Sequence, residues 1–287
     1  MKIVIAGGHG FIGSHLVSFL REKGHELIVL TRKEGGGEPF WDPRIGKLDP
    51  AHLEGASAVI NLGGETVVGR WTKKKREQIR ESRLAPTKLL VDTIASLYQK
   101  PRVYIGASAI GYYGDRGDER LTEKSPMGQG YLAELCKLWE EMPNKLGIRV
   151  ALMRMGVVLG NGGMLAKLLP VFKSGLGGVV GSGNQWMSWI AMEDLCRAFL
   201  FVLESELAGP INCVAPVPAT NRVFTKSLGE KLHRPSWLPV PAFVLRGIFG
   251  SGADVFLASS AVVPERLEKA GFRFRYRDVE SALDAFV

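Results

Sequence analysis

The 287-residue chain predicts an α/β fold, a doubly wound parallel sheet with a smaller, discontinuous C-terminal lobe. Three observations carry the prediction. Apolar, β-branched runs recur at 2–6 ("KIVIA"), 26–31 ("ELIVLT"), 58–62 ("AVINL"), 102–106 ("RVYIG") and 149–154 ("RVALMR"), with helix-length stretches between them. The first run opens directly into a glycine-rich loop. Beyond about residue 163 the pattern breaks into short helices, glycine turns and proline joints. Runs without polar alternation, separated by amphipathic helices, are strands of a parallel sheet covered on both faces.

In chain order, a helix over 11–23 follows the first strand and leads to the second. Residues 35–57, with "GGGEP" at 35–39, read as an exposed loop. Long helices are expected at about 72–98 and 129–146. A helix at 191–204 and a strand at 211–214 return to the sheet. The division is therefore a Rossmann-type domain over 1–165 with 191–214 returning to it. The substrate or C-terminal lobe takes 166–190 and 215–287.

Composition is that of an ordinary water-exposed protein, 46% hydrophobic and 23% charged. No apolar run approaches the ~20 residues of a membrane span, and "MKIVIAGG" reads as a strand start rather than a signal peptide. The three cysteines lack paired spacing and read as reduced, buried thiols of a cytoplasmic protein. The five histidines are scattered, so no metal site is expected. The net charge of +8 suits phosphate-bearing ligands. Without a basic stripe interleaved with aromatics, it does not indicate nucleic acid. The expected partner is a small molecule, and oligomeric state is open.

The loop "AGGHGFIG" places Gly7, Gly10 and Gly13 as GxxGxxG between strand and helix. Gly7 permits the tight turn, Gly10 lets a pyrophosphate approach the backbone, and Gly13 allows close helix packing. The helix start at Phe11 and Ile12 turns free N–H groups and a positive dipole end to the phosphates. An NAD site normally carries Asp or Glu at the end of the second strand. Here Thr31 and Arg32 stand there, and a guanidinium suits a 2′-phosphate. The expected cofactor is NADP(H).

"NLGGE" (61–65), "SRLAPT" (82–87), "SAIGYYGDRGD" (108–118), "MRMGVVLGNGG" (153–163) and "GSGNQWMSWIAMEDLCRA" (181–198) follow in order. With "WDP" (41–43), "ATNRVF" (219–224) and "PVPAFVLR" (239–246), the chain resembles the extended and atypical short-chain dehydrogenase/reductases. Within them it is similar to the nucleoside-diphosphate-sugar epimerase-like proteins. The resemblance implies that Leu62 and Gly63 line the cofactor by backbone. It also implies that Arg83 reaches a phosphate and that Val158 abuts the nicotinamide. Ser108 falls near the substrate-binding hydroxyl, and Tyr131, Asn184, Trp186 and Trp189 line the substrate cleft.

Enzymes of this kind carry a catalytic Tyr and Lys four residues apart on one helix. Here "GYLAELCKLWEEM" (130–142) offers Tyr131 and Lys137, six apart. Residues four apart lie only about 40° apart around a helix, whereas six apart is about 240°. Leu135 stands four residues after Tyr131, and the shifted frame gives Leu132 and Cys136. No such pair exists. Tyr113, a phenol near the expected nicotinamide site, becomes the candidate general acid. The resulting reading is an NADP(H)-dependent oxidoreductase or epimerase acting on a small polar, nucleotide-sugar-like substrate. The alternative is a non-catalytic regulatory protein, of a cell-division-related kind, that senses NADPH without turnover.

Overall fold

A computed structural model describes residues 1–287. Six strands form the central sheet: β1 (Lys2–Ala6), β2 (Glu26–Leu30), β3 (Ala58–Asn61), β4 (Val103–Ala109), β5 (Arg149–Met155) and β8 (Gly209–Cys213). Their order is β8-β5-β4-β3-β1-β2, and every pairing is parallel. All C-terminal strand ends therefore share one edge. The strand order reverses between β2 and β3, on either side of β1. Such a reversal opens a crevice for ligands.

The strands alternate between two apolar layers, as a period of two requires. Ile3, Ile5, Ile60, Ile105 and Met153 face one layer, built with α1 (Phe11–Glu22) and α5 (Met192–Glu204). Val4, Val59, Tyr104 and Leu152 face the other, with Leu90 and Ile94 of α2 (Lys73–Ser96). Each fully buried aliphatic side chain contributes about 1.5–3 kcal/mol.

The expected exposed loop at 35–57 is ordered instead. Trp41 and Asp42 pair with Lys47 and Leu48 in a small hairpin, and Leu53 is fully buried. Trp41 and Leu53 join the α2-side layer. The glycine and proline content hid this, because two-residue strands leave no periodic signal.

The remaining elements are α3 (Tyr131–Glu141), β6 (Val157–Leu159), α4 (Gly163–Lys173), β7 (Trp189–Ala191), α6 (Asn221–Lys231), α7 (Ala242–Phe249) and α8 (Val279–Phe286). Strands β6 and β7 pair in parallel beside the main sheet. A third apolar cluster joins Leu165 and Phe172 of α4, Phe224 and Leu228 of α6, and Val279 and Leu283 of α8. Leu267, Phe272 and Phe274, in the stretch expected to form only the second lobe, pack instead into the α1–α5 layer.

Candidate functional site

The glycine loop sits at the β1 edge, where the strand order reverses. Gly7 has φ +82°, and a Cβ there would lie 2.9 Å from the Leu62 carbonyl carbon. A Cβ on Gly13 would lie 2.1 Å from the Gly7 oxygen, so the first helical turn is pressed onto the loop itself. Gly10 differs. Its φ is −75°, and a Cβ would meet only the Gly7 oxygen, at 3.4 Å. The surface above Gly10 is open. Helix α1 has neither a side-chain cap nor an acidic residue in its first turn. Its N-terminal N–H groups thus lack a side-chain acceptor, and an open glycine beneath them fits a pyrophosphate.

Phe11 of this helix packs its ring where side chains on Gly162 or Gly163 would clash, so it holds the 160–163 loop. Ile12 and Val158 pack on the adjoining apolar layer, as does Leu62.

At the end of β2 lies an open cavity of about 800 Å³ lined by His9, Thr31, Arg32, Lys33, Gly36, Glu38 and Arg44. None of these residues is hydrophobic. Thr31 turns inward and its hydroxyl accepts the Lys33 N–H at 3.2 Å. Arg44 arrives on the hairpin, where Asp42 holds it through contacts of 2.6 and 2.9 Å. Those hydrogen bonds keep the Asp42 carboxyl down at about 2. Glu38 contacts His9 at 2.8 Å. The sequence pointed to Thr31 and Arg32. Lys33 adjoins them in the chain, whereas Arg44 reaches the cavity only through the hairpin fold.

At the end of β3, Asn61 is fully buried. Its Oδ1 accepts the Gly63 N–H at 3.1 Å, and its Nδ2 donates to Thr87 and Tyr104. This fixes the Leu62–Gly63 turn against α2. Thr87 also accepts the Trp139 indole N–H at 2.9 Å. Arg83, one turn earlier on α2, lies with its guanidinium carbon 5.3 Å from the Trp139 ring centroid.

The two candidate catalytic hydroxyls are corrected by the structure. Ser108 is buried and donates to Glu140 Oε1 at 2.6 Å. Tyr113 is fully buried, donates to Asn212 Oδ1 at 2.7 Å and accepts from Arg154 at 2.9 Å. Burial pushes its phenol up to about 12, despite the Arg154 charge. Both side chains serve a buried polar network rather than an open cleft. Arg154 at its centre carried a sequence signal, a charge inside the apolar run of β5, whereas Glu140 stands among the other charges of α3 and carried none. Tyr112 is the more open of the adjacent phenols. Its ring lies over the Arg154 guanidinium at 3.5 Å, and its hydroxyl has no protein partner.

Lys137 is exposed and faces Glu141, as helical geometry required. Tyr131 packs edge-on against Trp71 and donates its hydroxyl to the Arg76 carbonyl. Arg76 in turn donates to Ser251 at 2.8 Å, so this corner ties α2 to the C-terminal part of the chain. Trp186 donates its indole N–H to Asp118 at 2.9 Å, and Asn184 is exposed nearby. Trp189 does not line a cleft. It is fully buried in the third cluster, with its indole on the Val217 carbonyl.

Residues 3–213 match the model of the NAD dependent epimerase/dehydratase family, and residues 240–286 match a domain of unknown function (DUF1731). The chloroplastic epimerase family protein SDR39U1 homolog of Arabidopsis thaliana is 39% identical, over 100% of this chain and 87% of that protein. Epimerase family protein YfhF of Bacillus subtilis is 34% identical, over 100% and 98%. The human epimerase family protein SDR39U1, crystallised with NADPH, superposes with a TM-score of 0.93 at 32% identity, covering 100% and 99%. A Corynebacterium glutamicum structure described as a nucleoside-diphosphate sugar epimerase gives 0.81 at 38% identity, covering 99% of this chain and 57% of that one. No helix is long and apolar enough to cross a membrane.

Proposed function

Because this chain belongs to the NAD dependent epimerase/dehydratase family, we propose that it is an NADP(H)-dependent oxidoreductase or epimerase acting on a small polar substrate. The observation that carries the NADP(H) preference is the cavity at the end of β2. Arg32, Lys33 and Arg44 gather there, and the only carboxylate lining it, Glu38, is engaged with His9. Cationic forks and ammonium groups recognise a dianionic 2′-phosphate, whereas a 2′-hydroxyl calls for a carboxylate. The NADPH in the human relative's crystals supports the same choice.

The nicotinamide supplies hydride chemistry when bound. The chain's own residues do the rest. Gly10 and the α1 N-terminus seat the pyrophosphate, and the Leu62–Gly63 turn, fixed by Asn61, borders it. Val158 borders the nicotinamide end. Proton transfer falls to Tyr112, the half-open phenol whose ring lies 3.5 Å from the Arg154 guanidinium. The nucleoside-diphosphate-sugar class of substrate rests on the description of the Corynebacterium relative.

The test is cofactor titration followed by turnover. NADPH should bind at least tenfold tighter than NADH, and an Arg32→Ala/Arg44→Ala variant should erase that gap. Equal affinities in the unaltered protein would refute the cofactor assignment. Nucleotide sugars, aldehydes and ketones are then screened for NADPH oxidation.

A second reading, NADPH binding without turnover, is favoured by one observation. The position four residues after Tyr131 is Leu135, and both Ser108 and Tyr113 are enclosed. Tight NADPH binding with no oxidation across the panel, together with a protein partner in pull-downs, decides for it.

A further inference from the structure

Helix α7 is apolar on nearly every side. Of its eight residues only Arg246 is polar, yet only Leu245 is buried. Phe243 is 76% exposed and Ile248 55%, and Val244 is exposed beside them. A helix this apolar is ordinarily enclosed by a core. α7 packs instead mainly on the turn that follows it, Gly250–Ala253. The apolar face continues beyond the helix. A Cβ on Gly175 would meet Pro235 at 3.7 Å, and Val180 pairs in parallel with Val240. That register brings Leu176, 62% exposed, beside Trp237, 75% exposed.

The charges around this face have one sign. Residues 142–192 contain no Asp or Glu, and neither do residues 231–253. Lys173, Arg234 and Arg246 are exposed and pair with no carboxylate. Elsewhere, exposed lysines find a carboxylate one turn away, as Lys88 does at Asp92, Lys137 at Glu141 and Lys226 at Glu230. The Trp71 N–H on the Phe249 carbonyl and the Arg76 guanidinium on Ser251 bring the start of α2 to the same corner. Lys73 and Lys74, both exposed, come with it.

We propose that this face seats on an anionic membrane surface, with α7 lying in the plane of the interface. Eight helical residues extend about 12 Å, too short to span and long enough to lie among headgroups. Charge complementarity selects the occupant. A cationic rim on a chain of net charge +8 repels a second copy and attracts anionic headgroups. The apolar side chains also stand out from the surface rather than line a groove, and a Cβ on Gly247 would meet nothing within 4 Å. Protruding aromatic and aliphatic groups enter a fluid acyl boundary, whereas a protein partner needs a matched pocket for them. The proposal stands independently of the cofactor reading.

The test is co-sedimentation with vesicles of phosphatidylcholine alone and of an equimolar mixture of phosphatidylcholine and phosphatidylglycerol. The protein should bind the anionic vesicles and not the neutral ones, and added salt should weaken binding. Phe243→Ser/Ile248→Ser replaces side chains that are already exposed, so folding should hold while binding falls about tenfold or more. Lys173→Gln, Arg234→Gln and Arg246→Gln should each weaken binding about fivefold. Lys226→Gln, on a surface where the charges are paired, should change nothing. Tryptophan emission should shift to the blue on anionic vesicles, and Trp237→Phe should remove most of that shift. Absence of binding, or binding that the Phe243→Ser/Ile248→Ser variant retains, overturns the proposal. A concentration-dependent dimer that this variant dissolves, without vesicle binding, gives the face to a second copy. A monomer that ignores both vesicles gives it to a protein partner.

Discussion

Arg154 at the end of β5 and Glu140 on α3 form a two-pronged ion pair, Nε to Oε1 at 2.8 Å and Nη2 to Oε2 at 2.6 Å, with side chains only 3% and 9% exposed. Burial alone lowers the Arg154 pKa, but the Glu140 hydrogen bonds and charge outweigh it and the guanidinium stays protonated. Ser108, Tyr113 and Asn212 complete the network, which links β4, α3, β5 and β8. Removing one partner strands the other charge. Glu140→Leu or Arg154→Met alone should cost about 3–5 kcal/mol in urea unfolding, and the double variant less than the sum. Strict additivity would show that the two side chains do not act as a pair.

The glycine loop separates fold from binding at two positions. Gly10→Ala meets no close contact and has an ordinary φ, so unfolding should change by less than about 0.5 kcal/mol. NADPH affinity should nevertheless drop by tenfold or more, because the methyl occupies the space for the pyrophosphate. Gly13→Ala meets the Gly7 carbonyl and should cost about 1–3 kcal/mol of stability as well. An intact affinity in Gly10→Ala would move the pyrophosphate elsewhere.

Glu123 sets a pH dependence. Its Oε1 accepts two backbone N–H groups, from Asn212 and Arg266, while its buried Oε2 has no partner. Desolvation raises its pKa despite those bonds. The folded chain therefore holds this proton more tightly than the unfolded chain. The contribution to stability is full below the ordinary carboxylate range and is lost as pH rises through the folded value. Glu123→Gln removes that loss. Its stability relative to the unaltered protein should improve as pH rises from the ordinary carboxylate range through the raised folded value. A difference that stays flat with pH would mean Glu123 titrates normally.

The cysteines should be inert. Cys136, Cys196 and Cys213 are all buried and unpaired, and burial raises all three, the first two to about 12. At neutral pH a thiol reagent should label none of them in the native protein and all three after denaturation. Rapid native labelling of Cys136 would show that α3 lifts from the end of β4.

Tyr112→Phe tests the phenol that the fold leaves open. It should lower turnover, if a substrate is found, by a hundredfold or more while leaving NADPH affinity unchanged, because general acid catalysis contributes about 10²–10⁴. Tyr113→Phe should instead appear mainly as lost stability, since its hydroxyl serves the buried network.

By itself the sequence determined what repeats along the chain. Buried strands have unbroken apolar runs, and the GxxGxxG loop needs glycine for reasons local to a few residues, so the sheet, its helices and the glycine turn into α1 were legible. Helical periodicity alone also excluded Tyr131 and Lys137 as a pair. Only the tertiary structure decided which side chains share a space. Arg44 joins Arg32 because a hairpin without sequence periodicity folds back. Tyr113 and Trp189 turn inward where Tyr112 and Trp186 remain partly open. Arg83 lies beside Trp139 because α2 and α3 pack against each other. Such contacts depend on packing between segments far apart in the chain, and burial then sets whether a hydroxyl or a cation is free to meet a ligand.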